Sequence, residues 1–365
     1  MNAFYRQAYN SSMRPLALLF AFVALIGLSG CHATFFGAVN ATQSSSGVTT
    51  HADIVYDPAH DLALDVYAPE HVVGAPVVVY FYGGDWRKGK RQWYRWVGEA
   101  LARRGVVAIV ADYRLWPAVR MEGFLRDGAN AVRWAHDHAA GYGGNPAHLF
   151  VMGHSSGGHI AAMLATDKQW LAHVGMKPRD LAGLIGVAGA YDFLPLDDPG
   201  YIDMFGATDA EQARSQPVNF VDGDEPPALL LQGERDTEVY PIEAISLEAR
   251  YRAMGEPVEL KLYPELGHEK LVFALGPLHR IAPVMDDVMR FIHERSIQPL
   301  RATGSRDTPP CRSAPARDQV IAITGRAQGA LLQGPGNFWA IDRPVGASYF
   351  ELSYRHGGSR CIVSS

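Results

Sequence analysis

Residues 149–165 read Leu149-Phe150-Val151-Met152, then Gly153-His154-Ser155-Ser156-Gly157, then the small-residue run Gly158 to Ala165. The first segment predicts a buried strand and the last a helix. Gly-x-Ser-x-Gly between a strand and a helix is typical of a nucleophile elbow, a tight turn that presents the serine Oγ at the helix N-terminus. The competing interpretation is a serine-rich helix cap. We therefore predict Ser155 as a nucleophile in a sheet of alternating strands and helices.

A serine hydroxyl is a weak nucleophile at neutral pH and needs a base, which a carboxylate orients. In elbow-containing sheets the acid and then the histidine follow the serine along the chain. Asp236 comes just after the apolar run 228–232, and His268 comes just after the run 258–263. Because the carboxyl ends of parallel strands share one sheet edge, we expect Ser155, Asp236 and His268 to meet there.

Other residues compete for these roles. Glu234 is a second acid in the same loop, and His279 and His293 are later histidines. His154 and His159 flank the serine, but the geometry of an elbow and its helix should point them elsewhere. The sequence has no His/Cys/Asp cluster with metal-site spacing and no glycine-rich phosphate loop. We therefore predict no metal and no cofactor.

The negative oxygen of a tetrahedral intermediate needs hydrogen-bond donors. One is expected to be the backbone N–H of Ser156, the residue after the nucleophile. The others are expected from Gly83, Gly84 and Asp85, in the loop after the apolar run 76–81. Glycines let this backbone turn its N–H groups inward without a side-chain clash. The alternative interpretation is a plain Gly-Gly turn.

The stretch Tyr82-Gly83-Gly84-Asp85-Trp86 resembles the His-Gly-Gly-x-Trp motif of carboxylesterase-like and kynurenine-formamidase-like α/β-hydrolases. Gly-His-Ser-Ser-Gly at 153–157, Gly-x-x-Asp-x-x-Val at 233–239 and Gly-His at 267–268 are similar to their other catalytic motifs. The resemblance covers about residues 51–297, and within this class the sequence resembles the group of bifunctional feruloyl and acetyl-xylan esterases.

This resemblance implies an α/β-hydrolase fold, with a mostly parallel central sheet, helices on both faces and a small lid insertion. Tyr82 stands where the family has histidine. Because the oxyanion donors are backbone N–H groups, we expect activity nonetheless, with the Tyr82 phenol bracing the loop from behind by packing and one hydrogen bond.

Apolar runs alternate with helical patterns through the centre of the chain, which favours a parallel sheet covered on both faces. Periodicity is lost over 191–227, where Pro, Gly and acids accumulate, and we interpret this segment as a lid or insertion over the site. Predicted strands are two within 51–68, then 76–81, 106–111, 149–152, 184–189, 228–232 and 258–263; predicted helices are 91–104, 120–139, 158–165, 240–254 and 281–295.

The N-terminus has the pattern of a targeting segment. Arg6 and Arg14 precede an apolar run from Leu16 to Leu28, too short to span a bilayer comfortably. Leu28-Ser29-Gly30-Cys31 resembles the lipobox of bacterial lipoproteins, which implies cleavage after residue 30 and lipid on Cys31. An ordinary cleaved signal and an uncleaved anchor are the alternatives, and Met13 is a second candidate start. Residues 31–50 are then expected to be a flexible tether.

The remaining composition bounds the function. A net charge of −5 is not the excess of positive charge that is typical of nucleic-acid-binding proteins. Composition changes at residue 298, so we treat 298–365 as a C-terminal tail of unknown structure outside the catalytic domain 51–297. Two of the 3 cysteines, Cys311 and Cys361, lie in this tail, and whether they pair is left open.

These observations predict a serine hydrolase that cleaves short-chain or aryl carboxylic esters through an acyl-enzyme. Its partners are expected to be a small-molecule ester and, through Cys31, a membrane, at the periplasmic face or outer membrane of a bacterium. An arylformamidase is the alternative enzyme, and a non-catalytic surface binding lipoprotein on a hydrolase fold is the alternative of another class. The sequence leaves the oligomeric state open.

Overall fold

A computed structural model describes residues 34–42 and 44–297, together with short strands at 333–334, 337–338, 340–342, 351–356 and 359–363. The predicted signal peptide, Cys31 and Cys311 lie outside the described residues. No helix in the described part of the chain combines the length and apolarity needed to cross a bilayer. The chain divides into two compact units, Met1–Thr303 and Gly304–Ser365.

The first unit is built on an eight-stranded sheet in the order β1-β2-β4-β3-β5-β6-β7-β8. Strand β2 pairs antiparallel with β1 and β4, and the other strand pairs are parallel. The central strands are continuous apolar runs because helices cover both of their faces. The strands are β1 Val48–Asp57, β2 Leu62–Pro69, β3 Ala75–Phe81, β4 Val107–Ala111, β5 Gly144–His154, β6 Gly183–Val187, β7 Ala228–Gly233 and β8 Val258–Tyr263.

Ten α-helical segments of this unit are described, and the predicted long helices are among them within a few residues. Helix α1 covers residues 34–41 of the described chain. The others are α2 Arg95–Ala102, α3 Met121–His138, α4 Ser156–Thr166, α5 Lys168–His173, α6 Pro199–Phe205, α7 Asp209–Ala213, α8 Pro241–Met254, α9 His268–Phe273 and α10 Val284–Ile297.

Parallel pairing brings the carboxyl ends of β3, β5, β6, β7 and β8 to one edge of the sheet. The register pairs Phe81 with Gly153 and His154 with Val187. It also pairs Gly233 with Tyr263. The loops that carry the predicted nucleophile, acid, base and oxyanion donors therefore leave the sheet side by side.

Two expectations need correction. Residues 34–41, predicted as part of a flexible tether, form helix α1, and Phe36 of this helix stacks on Trp93 with ring centroids 5.1 Å apart. The lid segment 191–227 is not irregular throughout, since it contains α6 and α7. Asp198 caps α6, and a capping box joins Thr208 and Glu211 at the start of α7. Helices of 7 and 5 residues are too short to show periodicity.

The second unit contains the described tail strands. Strands β9 Gln333–Gly334 and β10 Asn337–Phe338 pair antiparallel, and β12 Glu351–His356 pairs with β11 Ala340–Asp342 and β13 Ser359–Val363. The division after Thr303 lies close to the composition change predicted at residue 298.

Candidate active site

Ser155 occupies the sharp turn between β5 and α4. Its backbone has φ 55 and ψ −125, a combination that side-chain-bearing residues rarely adopt. A Cβ on Gly153 would lie 2.0 Å from the carbonyl oxygen of Gly157, and one on Gly157 would lie 2.1 Å from that of Phe81. Only glycine fits at both positions, which explains the motif. The Ser155 N–H donates to the Val187 carbonyl at 3.0 Å, fastening the turn to β6.

His268 and Asp236 form a buried pair at the ends of β8 and β7. The Nδ1 of His268 lies 2.8 Å from Oδ2 of Asp236. The other carboxylate oxygen accepts the backbone N–H groups of Glu238 at 2.9 Å and Val239 at 3.0 Å. Gln232 donates to Oδ2 at 3.1 Å. These bonds hold the carboxylate in one orientation, so Nδ1 of His268 carries the proton and Nε2 is left as the basic nitrogen.

The electrostatics of this pair suit a base that accepts a proton during reaction. Burial opposes the charged form of His268, but the hydrogen bond and the charge of Asp236 outweigh burial and raise the pKa of His268 above its ordinary value. Burial also raises the pKa of Asp236, yet its bond to His268 and its backbone donors bring that pKa below the ordinary value. Asp236 is therefore ionised at neutral pH and stabilises a protonated His268.

One cavity of about 790 Å³ lies at this edge of the sheet. It is lined by six of the seven residues predicted from sequence, and Asp236 lies buried behind His268. Glu234, His159, His279 and His293 are not among the lining residues. Those from the sequence prediction that do line the cavity are Ser155, Ser156, His268, Gly83, Gly84 and Asp85.

His154 was predicted to point away from the site, and this prediction is wrong, since His154 lines the cavity. Its ring centroid lies 4.7 Å from that of His268. Burial, together with the charge of the neighbouring His268, lowers the pKa of His154 well below its ordinary value. The ring is thus neutral at neutral pH and packs under His268 without adding a second positive charge.

The loop after β3 turns through left-handed backbone at three successive residues. Gly84, Asp85 and Trp86 have φ values of 139, 62 and 55. The N–H groups of Arg87 and Lys88 donate to the Gly84 carbonyl at 3.1 and 3.0 Å, which closes the turn. The turn brings Gly83, Gly84 and Asp85 into the wall of the cavity that Ser155 also lines.

Tyr82 braces this loop from behind, as expected. Its ring stacks between those of Tyr94 and Tyr113, with centroids 5.6 and 4.6 Å away. Its hydroxyl donates to Asp112 at 3.1 Å, and Asp112 is in turn paired with Arg91. The Tyr113 hydroxyl donates to the Tyr82 carbonyl at 2.7 Å. A phenol thus supplies both the packing and the hydrogen bond at position 82.

A buried chain of hydrogen bonds joins the loop to the lid segment, and sequence reasoning missed it. The indole N–H of Trp86 donates to Nδ1 of His159 at 3.3 Å, and Nε2 of His159 donates to the Ser215 carbonyl at 2.8 Å. Burial lowers the pKa of His159 to about 4, so the ring stays neutral and can make both bonds. Trp86 belongs to the sequence motif, but no pattern in the sequence links it to His159 or Ser215.

Helix α6 of the lid segment lies against the same loop. Tyr201 donates its hydroxyl proton to Asp85. The Arg87 guanidinium pairs with Asp198 at 2.8 Å and with Asp85 at 3.3 Å, and it lies over the Tyr201 ring. Helix α6 is therefore fastened to the loop at Asp85 and Arg87.

Among the described residues, one group of side chains could hold a metal ion. Its members are Asp57, His60 and Asp127, whose ligand atoms lie within 4.8 Å of one another. Sequence spacing could not show this group because about 70 residues separate its parts. Asp127 is already bound by Arg114 at 2.7 Å and Asp57 by His60 at 2.8 Å, and none of these residues lines the cavity.

An eight-stranded, mostly parallel sheet with a serine elbow at its carboxyl edge defines the α/β-hydrolase fold. The chain belongs to the BD-FAE family, whose model matches residues 64–251. This confirms the resemblance to esterases of the α/β-hydrolase class.

Curated relatives are named as esterases. The chain is 26% identical over 262 residues to an isoprenylcysteine alpha-carbonyl methylesterase of Arabidopsis thaliana, covering 66% of this chain and 61% of the relative. It is 28% identical to esterase LipC of Mycobacterium tuberculosis, covering 50% and 49% of the two chains. The match thus spans less than two thirds of the length of these relatives.

Solved structures share the fold. A truncated carbohydrate esterase from gut microbiota superposes with a TM-score of 0.59 at 21% identity, covering 70% of this chain and 98% of the other. Esterase B of Lactobacillus rhamnosis superposes with a TM-score of 0.61 at 22% identity, covering 77% and 96%.

Proposed function

We propose that this protein is a serine carboxylesterase with Ser155, His268 and Asp236 as its catalytic triad. The observation that carries the proposal is the cavity in which the strained Ser155 turn and His268 meet, with Asp236 held 2.8 Å behind His268. The names of the relatives support an ester as substrate.

The mechanism follows from this arrangement. Ser155 Oγ attacks the ester carbonyl while Nε2 of His268 takes the hydroxyl proton. The carbonyl oxygen becomes an oxyanion, which the N–H groups of Ser156 and the 83–85 loop stabilise. When the C–O bond breaks, His268 returns the proton to the leaving alcohol and an acyl-enzyme remains. Water, deprotonated by His268, then releases the carboxylic acid and regenerates Ser155.

The cavity supports a short-chain or aryl acyl ester as substrate. Its volume of about 790 Å³ is in the usual range for small-molecule sites. Aromatic rings form much of its wall, which suits an aryl group; they are Phe36, Trp86, Trp93, Tyr94, Phe193, Tyr201 and Tyr240.

The proposal includes export and attachment to a membrane through lipid on Cys31. It is supported by the apolar run Leu16 to Leu28 and the lipobox-like residues before Cys31. Metabolic labelling with a palmitate analogue tests it directly: wild type should be labelled and Cys31→Ser should not. Equal labelling of both proteins would exclude this attachment.

A hydrolysis panel tests the activity. Purified wild type and Ser155→Ala are assayed on p-nitrophenyl acetate, butyrate and octanoate, on methyl ferulate and on N-formylkynurenine. We expect turnover of the short-chain or aryl esters, reduced in Ser155→Ala by on the order of 10⁶ in kcat. Faster hydrolysis of N-formylkynurenine than of every ester would favour the arylformamidase. Turnover of none of them by folded protein would favour the binding lipoprotein.

A further inference from the structure

The mouth of the cavity is rimmed by exposed apolar side chains. Tyr240 is 60% exposed, Ile242 63% and Leu194 39%, and all three line the cavity. They belong to segments that follow β7 and β6, so they lie at the carboxyl edge of the sheet with Ser155. Large apolar side chains grouped at one opening are typical of a surface that contacts another apolar phase.

Helix α1 adds to the same rim. Phe36 lines the cavity and stacks on Trp93, while Phe35 beside it is 51% exposed. Asn40 fastens the helix, because its side chain donates to the Gln92 carbonyl at 2.8 Å and accepts the Trp96 N–H at 3.1 Å. The folded domain therefore holds Phe36 in the cavity wall, and the Phe35 ring packs edge-on against Phe36 with centroids 5.3 Å apart.

The chain length before α1 limits how far this mouth can lie from a membrane. Cys31 precedes Phe35 by four residues, which span at most about 14 Å. If the apolar run itself stays in the membrane, its end at Leu28 precedes Phe35 by seven residues, which span at most about 25 Å. In either case the attachment point lies within about 25 Å of Phe35.

We propose that the mouth of the active-site cavity docks on a lipid bilayer, with Phe35, Leu194, Tyr240 and Ile242 in the interfacial region. This inference rests on the proposed N-terminal attachment. Docking removes exposed apolar surface from water, and tethering raises the local concentration of the bilayer at the rim. The cavity then opens toward esters dissolved in the bilayer.

The charges at the mouth favour a zwitterionic bilayer. Exposed acidic residues among the lining outnumber the one exposed lysine, Lys88. They would repel an anionic surface. These acids are Asp192, Asp197, Glu238 and Glu269.

Depth measurements with spin labels test the docking. Single labels are placed by Phe35→Cys, Ile242→Cys or Val73→Cys in the full chain with lipid on the Cys31 thiol, and with Cys311→Ser and Cys361→Ser in each variant. Val73 is the matched control: it is 93% exposed but precedes the amino end of β3, at the opposite edge of the sheet. The proteins are reconstituted in phosphatidylcholine vesicles, and label collisions with oxygen are compared with collisions with a water-soluble nickel chelate.

We expect the labels at 35 and 242 to favour oxygen and the label at 73 to favour the nickel chelate. Equal nickel access at all three positions, or failure of the protein to bind vesicles, would overturn the inference. Dipolar coupling between labels at position 242 on different molecules, together with high nickel access at that position, would show that the rim contacts a second copy of the chain. That result would also overturn the inference. Unlabelled protein is assayed separately on p-nitrophenyl butyrate, so loss of docking and loss of esterase activity are distinguished.

Discussion

Replacing Gly84 with alanine should disrupt the proposed oxyanion loop and leave the rest of the domain folded. Gly84 has φ 139, and a Cβ there would lie 2.0 Å from the Lys88 carbonyl oxygen. Real Cβ atoms essentially never approach other atoms more closely than 3.0 Å, so this contact must open by about 1 Å. Because the Lys88 N–H donates to the Gly84 carbonyl at 3.0 Å, the methyl group pushes against a closed turn.

That displacement sets the expected size of the effect. The same loop carries the N–H groups of Gly83, Gly84 and Asp85, and misplacing catalytic groups by 1 Å costs roughly 10²-fold in rate. Loss of one oxyanion donor costs roughly 10²–10³ in kcat, or about 2.7–4 kcal/mol of activation free energy. We expect kcat of Gly84→Ala to fall by this factor. KM should change little, because the oxyanion exists only in the transition state and the intermediate.

Steady-state kinetics on p-nitrophenyl butyrate, after circular dichroism confirms folding, measure this effect. Gly74→Ala is the matched control: Gly74 has φ 73, but a Cβ there meets nothing within 4 Å. It therefore imposes backbone strain at the opposite edge of the sheet and should leave kcat unchanged. A folded Gly84→Ala within threefold of wild type, or an equal loss in Gly74→Ala, would refute the role of this loop.

Three further predictions follow from the buried polar groups. Asp236→Asn should lower kcat by roughly 10⁴. The acid limb of the residual kcat/KM should also move to lower pH than in wild type, because a carboxylate no longer raises the pKa of His268. A pH–rate profile measures both effects, and an unshifted acid limb would contradict the pairing of Asp236 with His268. Burial raises the pKa of Glu243 to about 7, although hydrogen bonds from backbone N–H groups lower it. The stabilisation that the protonated Glu243 side chain contributes is therefore present at pH 4.5 and is lost as pH rises through 7. The free energy of unfolding of Glu243→Gln should therefore rise relative to that of wild type by up to about 3 kcal/mol between pH 5 and pH 8. Urea unfolding measures this, and the same difference between mutant and wild type at both pH values would exclude it. Tyr82→Phe should lose about 1 kcal/mol of unfolding free energy, because it lacks the hydrogen bond to Asp112. Its kcat/KM should stay within about tenfold of wild type. A larger loss of kcat/KM would show that the phenol does more than brace the loop.

Much of the site can be predicted from sequence because each triad residue follows a predicted strand of the sheet. Ser155 comes directly after β5, Asp236 three residues after β7 and His268 five residues after β8. Parallel strands bring these ends together whatever the loops contain. The glycines of the elbow can also be predicted from sequence, because the turn excludes any side chain at positions 153 and 157.

Contacts between distant parts of the chain could not be predicted in this way. The two partners of His159, Trp86 and Ser215, lie 73 and 56 residues away and show no shared pattern. Helix α1 packs through Phe36 on Trp93, which lies far along the chain. Its small and polar residues alone predict a tether. Helices α6 and α7 are defined by caps rather than by periodicity.

Reaction with a fluorophosphonate followed by mass mapping tests the central claim most directly. The reagent forms a stable adduct only with a serine that a neighbouring base activates. We predict a single adduct on the peptide that contains Ser155, absent from Ser155→Ala and strongly slowed in His268→Ala. An adduct on another residue, or none on folded wild-type protein, would contradict Ser155 as the nucleophile.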